Sequence, residues 1–578
     1  MAEEAGTNRP GRALTGGRAP SAAPTCRCPR SRTIARHPTF APLGIPTFRR
    51  LWVSSQVSNL GGLIQAVGAG WLMTSLTSSH GMVALVQASN TLPIMVFSLV
   101  AGALADSFDR RRILIAAQVF MLTVSVALAL TAWLGVLSPW GLLAFTFLLG
   151  SGVALYNPSW QASMGDIVPR SDLSAAVSLN SMGFNLMRSV GPALGGALVA
   201  LAGAAAAFGV NALSYMPTIW SLIRWQPERQ PARLPREPLG QALGAGLRYV
   251  SMSPNLMRVM GRSALFGFAA SSVLALLPTV ARDMLGGTAL TYGMLLGFFG
   301  LGAIGGVAVN SKVRARFANE KVVVGSFFGF AVGVAGLAFA PHLLVAGAAL
   351  MVAGACWVLA LSLFNVSVQL STPRWVVGRA LSFYQTSVFG GMAAGSWCWG
   401  LLADARGPDQ ALLAASALLL LGAAAGRWLP LAEFGALDLD PLGLFREPQL
   451  RLDLRGRSGP IMVMVDYQIA PEDTDAFLAL MQIRRRIRIR DGARQWALLR
   501  DLESPDTWTE SYHVPTWVDY LRHNERRTKA DLDSLDSYEA LIALHRGPER
   551  PRVHRLIERQ TVPLYDDMAL KPPPDIHH

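Results

Sequence analysis

About twelve apolar stretches follow one another between Phe48 and Leu429, and each is long enough to cross a bilayer as a helix, which takes about 20 residues. With 51% hydrophobic and 15% charged residues, this chain of 578 residues is too apolar for an ordinary soluble protein. The sequence therefore predicts a multi-pass membrane protein surrounded by membrane lipid. The stretches fall near residues 50–76, 82–105, 113–135, 139–160, 174–201, 205–224, 256–281, 288–311, 320–340, 343–370, 378–402 and 409–429.

Basic residues occur in alternate loops between these stretches. Arg or Lys is present near 110–112, 224–248, 312–321 and 374–379, and absent near 78–81, 135–138, 202–204 and 341–342. Because loops rich in Arg and Lys stay in the cytoplasm, both termini are predicted to be cytoplasmic and the protein to lie in the inner (cytoplasmic) membrane of the cell. This topology also accounts for the formal net charge of +14, so the charge does not indicate a nucleic-acid partner.

A short charged segment, residues 102–112, separates the second and third apolar stretches. Gly102 allows two helix ends to approach closely, and the Asp106 carboxylate can accept hydrogen bonds from exposed amides at a neighbouring helix start. The same layout returns in residues 306–316, where Asn310 takes the place of the Asp. The recurrence divides the membrane part into two comparable halves.

This segment resembles the signature loop of the major facilitator superfamily, Gly-x-x-x-Asp followed by basic residues. Gly102, Asp106, Arg111 and Arg112 match the signature, whereas Ser107 and Asp109 depart from it. The resemblance covers about residues 48–430. It implies a six-helix bundle at 48–225, a cytoplasmic linker at 226–255 and a second six-helix bundle at 256–430. It also implies that the four matching residues gate the transport cycle.

A second motif, Gly191-Pro192-Ala193-Leu194-Gly195-Gly196, lies in the fifth stretch and resembles the Gly-Pro-x-x-Gly-Gly signature of antiporters in that superfamily. Glycine permits close helix contact and proline bends a helix. The motif therefore has two interpretations, simple close packing or a gating role in an export cycle. Together with residues 156–161 and 172–180, it resembles the enterobactin and multidrug exporter branch.

Arg188 lies about 14 residues into the fifth stretch, or about 21 Å from its cytoplasmic start at 1.5 Å per residue. An arginine at that depth costs at least about 2.5–3.5 kcal/mol, and no Asp or Glu lies well inside a predicted span to offset it. Arg188 is therefore either satisfied by backbone carbonyls and amide side chains, or it faces a central cavity and binds an anionic substrate.

Polar side chains within the spans are the other candidates for substrate binding. Each either bonds to a neighbouring helix or lines the transport pathway. The candidates are Gln56, Asn59, Asn157, Asn185, Asn365, Tyr384 and Gln385.

Outside the membrane part, residues 1–47 read as a disordered cytoplasmic tail, 431–458 as a linker and 563–578 as a disordered tail. Residues 459–562 have ordinary soluble composition. Their patterns predict strands at 461–469, 495–502, 507–514 and 552–561 and helices at 471–489, 515–529 and 531–544. This β-α-β-β-α-β order is ferredoxin-like. It resembles domains of the antibiotic-biosynthesis monooxygenase type.

No residues in this domain have the spacing of a metal site. His513 and His523 lack Cys or acidic neighbours at ligand spacing, and the run Arg484-Arg485-Arg486-x-Arg488-x-Arg490 reads as a solvated helix face. The chain has no phosphate-binding Gly-x-x-x-x-Gly-Lys-Ser/Thr loop, so ATP hydrolysis is not expected. We expect no cofactor, no metal and no catalytic residues.

The predicted fold is an all-α membrane protein of about twelve transmembrane helices in two six-helix bundles, followed by a small α+β ferredoxin-like soluble domain. The resemblance implies a secondary active transporter that exports a small organic molecule such as a siderophore, antibiotic or toxic metabolite, and an anionic substrate is one of the choices left open. Two alternatives stay open: a transporter fused to an active small monooxygenase domain, and an importer of a small solute. Dimerisation through the C-terminal domain is also left open.

Overall fold

The computed structural model describes residues 38–107, 109–169, 172–226, 239–373, 375–431, 439, 445, 447–529 and 538–558. Cys26 and Cys28 lie outside these residues. Within them, nine helical segments are long and apolar enough to cross a membrane. The helices up to residue 424 are α1 (Pro46–Leu76), α2 (His80–Ser107), α3 (Arg110–Trp133), α4 (Pro139–Ile167), α5 (Leu173–Arg224), α6 (Leu239–Met252), α7 (Pro254–Thr279), α8 (Ala289–Arg316), α9 (Asn319–Ala338), α10 (Leu343–Leu370), α11 (Val377–Arg406) and α12 (Pro408–Ala424).

α5 contains two of the predicted apolar stretches. Its 52 residues are helical on both sides of Gly203, which has φ 78° and ψ 171°. Only glycine adopts this backbone conformation readily, so Gly203 separates α5 into two helices. The prediction of a loop at 202–204 thus corresponds to this break.

The helices form two groups, each with its own apolar core. Leu114, Leu128 and Phe208 are among the fully buried residues of α1–α5, and Phe266, Phe330 and Leu363 among those of α7–α12. Large apolar side chains also cover the outside, such as Phe328 and Leu421, which are 57% and 67% exposed. A soluble protein would bury such side chains, and a bilayer accommodates them.

The two groups meet along α2 with α11 and along α5 with α8. Small residues bring α5 and α8 together: a Cβ on Gly196 would lie 2.8 Å from the Cα of Gly293, and one on Gly300 would lie 2.6 Å from the Cα of Ser189. Helices in a membrane associate through such close packing of small residues.

The end of the predicted disordered tail is structured, which corrects that prediction for residues 38–47. Pro38–Gly44 form a turn of 3₁₀-helix that packs on α5. Leu43 and Ile45 contact an apolar cluster that contains Val168 and Leu179. Burial of these side chains against α5 outweighs the disorder-prone composition of the preceding sequence.

The soluble domain is an antiparallel sheet with helices on one face. Its strands are β1 (Ile461–Gln468), β2 (Arg494–Arg500), β3 (Thr507–Val514) and β4 (Arg552–Ile557), in the order β2-β3-β1-β4. Its helices are α13 (Thr474–Asp491), α14 (Trp517–Glu525) and α15 (Tyr538–Leu544). Tyr467, Phe477 and Tyr512 lie in the core between sheet and helices.

A buried ionic group lies at the centre of this domain, and it corrects the prediction of a solvated arginine face. Arg484 and Arg488 are one helical turn apart on α13 and are 3% and 6% exposed in their side chains. Their Nε atoms donate to the two carboxylate oxygens of Glu510 on β3, at 2.8 and 3.2 Å. The Trp496 indole also donates to Glu510, at 3.1 Å.

The soluble domain lies against α6 and the loop before α11. The Arg490 guanidinium lies over the ring of Tyr249 on α6 at 5.6 Å, and that of Arg526 lies over Trp375 at 4.1 Å. Cation–π contacts of this kind contribute about 0.5–1 kcal/mol each where they are exposed. We call the side of the membrane part that carries these contacts the domain side, and the opposite side the far side.

α6 lies within the predicted cytoplasmic linker and is amphipathic. Its residues Ala245, Tyr249 and Val250 are buried, whereas Leu247 is 56% exposed. A Cβ on Gly246 would lie 2.9 Å from the Cβ of Arg379, so α6 packs closely on the first turn of α11.

Candidate functional site

Arg188 lies on α5 and reaches the second group of helices. Its guanidinium lies over the ring of Trp357 on α10, 5.8 Å from the centroid. The next residue along the chain, Ser189, is in close contact with Gly300 of α8. Arg188 is therefore at the junction of α5, α8 and α10, where the two groups of helices meet.

No carboxylate neutralises this guanidinium in the part of the chain that the structure describes. Arg188 forms neither an ion pair nor a side-chain hydrogen bond with the described residues, and its side chain is half-buried. A cation this deep in a membrane protein is usually paired or faces a water-filled cavity. The aromatic face of Trp357 offsets only part of the missing charge.

Trp357 is held by aromatic neighbours, and the sequence reasoning did not single it out. It is 3% exposed, and its ring lies 5.9 Å from Phe266, 6.1 Å from Phe299 and 6.2 Å from Phe330, between centroids. These contacts fix the indole beside Arg188. The signal for Trp357 in the sequence is a single tryptophan inside a largely aliphatic span.

Two of the predicted substrate-binding residues form hydrogen bonds to a neighbouring helix instead of facing a substrate pathway with unpaired polar atoms. The side-chain amide of Gln56 is oriented so that both its nitrogen and its oxygen form hydrogen bonds. The nitrogen donates to the Gly183 carbonyl and the oxygen accepts from Trp52 Nε1, each at 3.2 Å. The hydroxyl of Tyr384 donates to the Leu361 carbonyl at 3.1 Å. These bonds favour the structural interpretation of Gln56 and Tyr384.

The other candidates are less enclosed. Asn59 and Gln385 are half-buried and Asn157 is exposed. Asn185 donates to the Ser181 carbonyl one turn earlier in α5, at 2.8 Å, and Asn365 accepts from Gln369 in α10. Because each of these bonds stays within one helix, neither amide ties two helices together, and both remain available to a substrate.

The glycines of the second motif divide between two neighbouring helices. A Cβ on Gly191 would lie 2.9 Å from Leu63 of α1, and one on Gly195 would lie 3.0 Å from Ile64. Gly196 and the carbonyl of Pro192 face Gly293 of α8. The structure shows the close packing, and a gating role of this motif stays a prediction.

The loop between α2 and α3 is described only in part. The surroundings of Gly102 and the side chain of Asp106 lie outside what the structure describes. Arg111 donates through Nε to the Leu222 carbonyl at 2.9 Å, at the C-terminal end of α5 where a cation is favourable. Asp109, the departure from the superfamily signature, is the N-cap of α3 and accepts from the Arg111 amide at 3.0 Å.

Polar residues join the two groups at the far side, and the sequence reasoning missed this contact. The carboxylate of Asp404, at the end of α11, accepts from the His80 amide at 2.6 Å, the Gly81 amide at 3.0 Å and Ser79 Oγ at 2.9 Å. His80 Nε2 also lies 3.1 Å from Asp283 Oδ2. In chain positions Asp404 and His80 are 324 residues apart, so no local pattern could have shown the contact.

Arg262 forms a second pair that the sequence reasoning missed. It is 2% exposed on α7, and its Nη1 donates to both oxygens of Glu320 at 2.6 and 2.7 Å. Glu320 also accepts from the Leu431 amide at 2.9 Å. The pair fastens the start of α9 and the end of the membrane part to α7.

Two helix groups that meet along a central junction are the architecture of many secondary transporters, those of the major facilitator superfamily among them. The chain belongs to the transmembrane secretion effector family, which matches residues 37–561 and so extends through the soluble domain. The family and its relatives are transporters and not enzymes. The alternative of an active monooxygenase domain has no support among them.

Curated relatives include siderophore and drug transporters. The Staphyloferrin A transporter of Staphylococcus aureus is 26% identical over 50% of this chain and 72% of its own length. The multidrug efflux pump Tap of Mycolicibacterium fortuitum is 26% identical, covering 63% of this chain and 91% of its own. The enterobactin exporter EntS of Shigella boydii is 27% identical, covering 65% and 90%.

Solved structures show the same membrane fold. A bacterial homologue of the human lysosomal transporter Spinster, in an inward-facing and unoccupied conformation, matches 68% of this chain with a TM-score of 0.54 at 15% identity. The match covers 99% of the length of that homologue. The nucleoside transporter NupG matches 66% of this chain and 98% of its own with a TM-score of 0.53 at 10% identity.

Proposed function

We propose that this protein is a secondary active exporter of a small organic anion across the cytoplasmic membrane. The observation that carries the proposal is Arg188, a cation between the two helix groups without a carboxylate partner in the described residues. An anionic substrate supplies the missing charge, and a siderophore with carboxylate or catecholate groups has the required chemistry. The printed names of relatives, a siderophore exporter and a multidrug efflux pump, support export.

The transport mechanism in this proposal is alternating access by rocking of the two helix groups. Arg188 binds the anion from α5, while Asn185 of the same helix and Asn59, Asn157, Asn365 and Gln385 of other helices supply hydrogen bonds. Gln56 and Tyr384 hold those helices in place through the bonds described above. The far-side contacts between the groups support a state that is closed on that side.

The loop residues Gly102, Asp106, Arg111 and Arg112 and the motif Gly191, Pro192, Gly195 and Gly196 belong to the gating part of the proposal. Asp106 is expected to lie at the start of α11 when the domain side closes, since a carboxylate is favourable at a helix N-terminus. Transport that is unchanged in Asp106→Asn would contradict that role.

We further propose twelve spans with both termini in the cytoplasm, which makes the domain side cytoplasmic.

The strand order β2-β3-β1-β4 supports a ferredoxin-like soluble domain in that compartment. Dimerisation through this domain stays a prediction, tested by the mass of the purified protein in detergent.

A topology experiment tests the orientation. Alkaline phosphatase fused after His342 is expected to be active, because the loop between α9 and α10 lies on the far side and would be periplasmic. The same enzyme fused after Arg316, on the domain side, is expected to be inactive because the end of α8 carries Lys312, Arg314 and Arg316. The reverse pattern of activity would contradict the proposed orientation.

A further inference from the structure

The first turn of α2 is capped by a residue from the other helix group. Asp404 accepts hydrogen bonds from the amides of His80 and Gly81, the first two residues of α2, and from the hydroxyl of Ser79. A carboxylate at this position satisfies amides that have no partner within the helix and is favoured by the helix dipole. The start of α2 therefore depends on α11 for its capping.

His80 lies between two carboxylates of the second group. Its Nε2 is 3.1 Å from Asp283, in the helical turn Val280–Met284 that follows α7, and its Nδ1 is 3.5 Å from Asp404. Arg282 is the other charged group at this place: its Nε lies 3.8 Å from Asp283, and its Nη1 donates to the carbonyl of Thr74 in α1. Arg406 and Asp409 follow on α11 and α12 and form no ion pair with His80 in the described residues.

We propose that Ser79, His80, Asp283 and Asp404 form a proton-responsive latch that closes the far side when His80 is protonated. This inference rests on the proposed alternating access. Ser79 and His80 belong to the first helix group, whereas Asp283 and Asp404 belong to the second. When the two groups part at the far side, every bond of the latch is broken.

The imidazole chemistry sets the direction of the response. A neutral imidazole donates from one nitrogen only, so the lone pair of the other nitrogen faces a carboxylate. A protonated ring donates from both nitrogens and forms an ion pair with each carboxylate. The side chains are 26% exposed for His80, 43% for Asp283 and 34% for Asp404, so protons from the far-side solution reach the ring.

The consequence concerns the transport cycle. Protonation at the far side would favour closure of that side after the substrate has left, and so return the empty protein to the state that is open on the domain side. The predicted spans contain no acidic residue well inside, so this latch gives the protein a proton-dependent step without a buried carboxylate. His80 responds to protons at one face and does not carry them across the membrane.

The test measures the opening of the far side in the full-length protein. Cys26, Cys28, Cys356 and Cys398 are replaced by Ser, and spin labels are attached at Val136→Cys and His342→Cys, which lie in far-side loops of the two groups. Pulsed electron spin resonance then gives the distribution of distances between the two labels in lipid nanodiscs at about pH 5.5 and about pH 8. No substrate is needed.

We expect the ratio of closed to open protein to be about threefold to tenfold higher at the acidic pH, since each partly exposed ion pair contributes a few-fold. In His80→Gln this pH response is expected to disappear, and Asp404→Asn is expected to favour the open far side at both pH values. Asp409→Asn, an exposed carboxylate in the first turn of α12, is the matched control and is expected to behave as the parent protein.

The proposal can be overturned in two ways. The distance between the two labels could change in Asp404→Asn but not with pH, or its pH response could persist in His80→Gln. Either result would overturn the proton-responsive latch and leave alternating access intact. A distance that stays short under all conditions and in both latch variants would overturn the latch together with the rocking motion on which it rests.

Discussion

Arg188→Gln is expected to lower efflux of an anionic substrate by about tenfold to a hundredfold, since a charge-assisted hydrogen bond is worth about 1.5–3 kcal/mol. Efflux of a neutral compound by the same variant is expected to fall far less. Glutamine also removes the cost of an unpaired charge in the membrane, so the amount of inserted protein should not decrease. Efflux of both compounds is measured at matched membrane levels.

Two further variants separate charge from geometry at this position. Arg188→Lys keeps the charge but lacks the planar fork of the guanidinium, so it is expected to retain only part of the anion efflux. Arg258→Gln, at an exposed arginine of α7, is the matched control and is expected to have little effect. Equal losses for the anionic and the neutral compound, or failure of Arg188→Gln to insert, would instead favour a structural role for Arg188.

Glu510→Gln is expected to destabilise the soluble domain by about 3–5 kcal/mol, because it removes one partner of a buried ionic group and leaves two guanidiniums without a counter-charge. Glu510 is fully buried and accepts from Arg484, Arg488 and Trp496. The measurement is the rate of trypsin cleavage within residues 461–557 of the full-length protein, mapped by mass spectrometry. Glu503→Gln, at an exposed loop position, is the matched control, and equal cleavage rates for the two variants would contradict the prediction.

The same group makes the domain sensitive to acid. Burial raises the pKa of Glu510, but the charges of Arg484 and Arg488 and the hydrogen bonds from Arg484 and Trp496 outweigh it and hold the pKa well below its usual range. The stability that Glu510 contributes is therefore present above about pH 4.3, the pKa of an unfolded Glu, and is lost as the pH falls below it. In Glu510→Gln this part of the acid response is expected to disappear.

His523 adds a second acid-sensitive contribution at higher pH. Burial and the charge of Arg488 hold its pKa well below that of an ordinary histidine, and Arg488 Nη1 lies 3.2 Å from its Nε2. The folded domain keeps the ring neutral while the unfolded chain binds a proton below about pH 6.5. Stability from His523 is thus present above that pH and is lost as the pH falls through it.

Local periodicity predicted the strands of the soluble domain well. Period-two alternation placed β3 at residues 507–514 and β1 within one residue of its observed end, because side chains on a strand alternate between the core and the other face. The buried ionic group could also have been found this way. Glu510 stands between Trp508 and Tyr512 at alternate positions, so it shares their inward face, and Arg484 and Arg488 share one face of α13.

The site in the membrane part was only half predictable. The cost of an unpaired cation in lipid singled out Arg188 from the sequence alone. Its neighbour Trp357 and the far-side contact of His80 with Asp404 depend on how two helix groups pack, which no local pattern encodes. The same limit applies to the candidate Asn and Gln side chains. Only the structure distinguishes Gln56, which bonds to another helix, from Asn185, which bonds within its own helix.

Transport into everted membrane vesicles tests the central claim most directly. In such vesicles the cytoplasmic face points outward, so an exporter accumulates its substrate in the lumen. We predict that energised vesicles with the wild-type protein accumulate an anionic siderophore well above vesicles with Arg188→Gln, and that the neutral analogue shows a much smaller difference. Accumulation only in right-side-out vesicles, or equal accumulation with wild type and Arg188→Gln, would contradict the account.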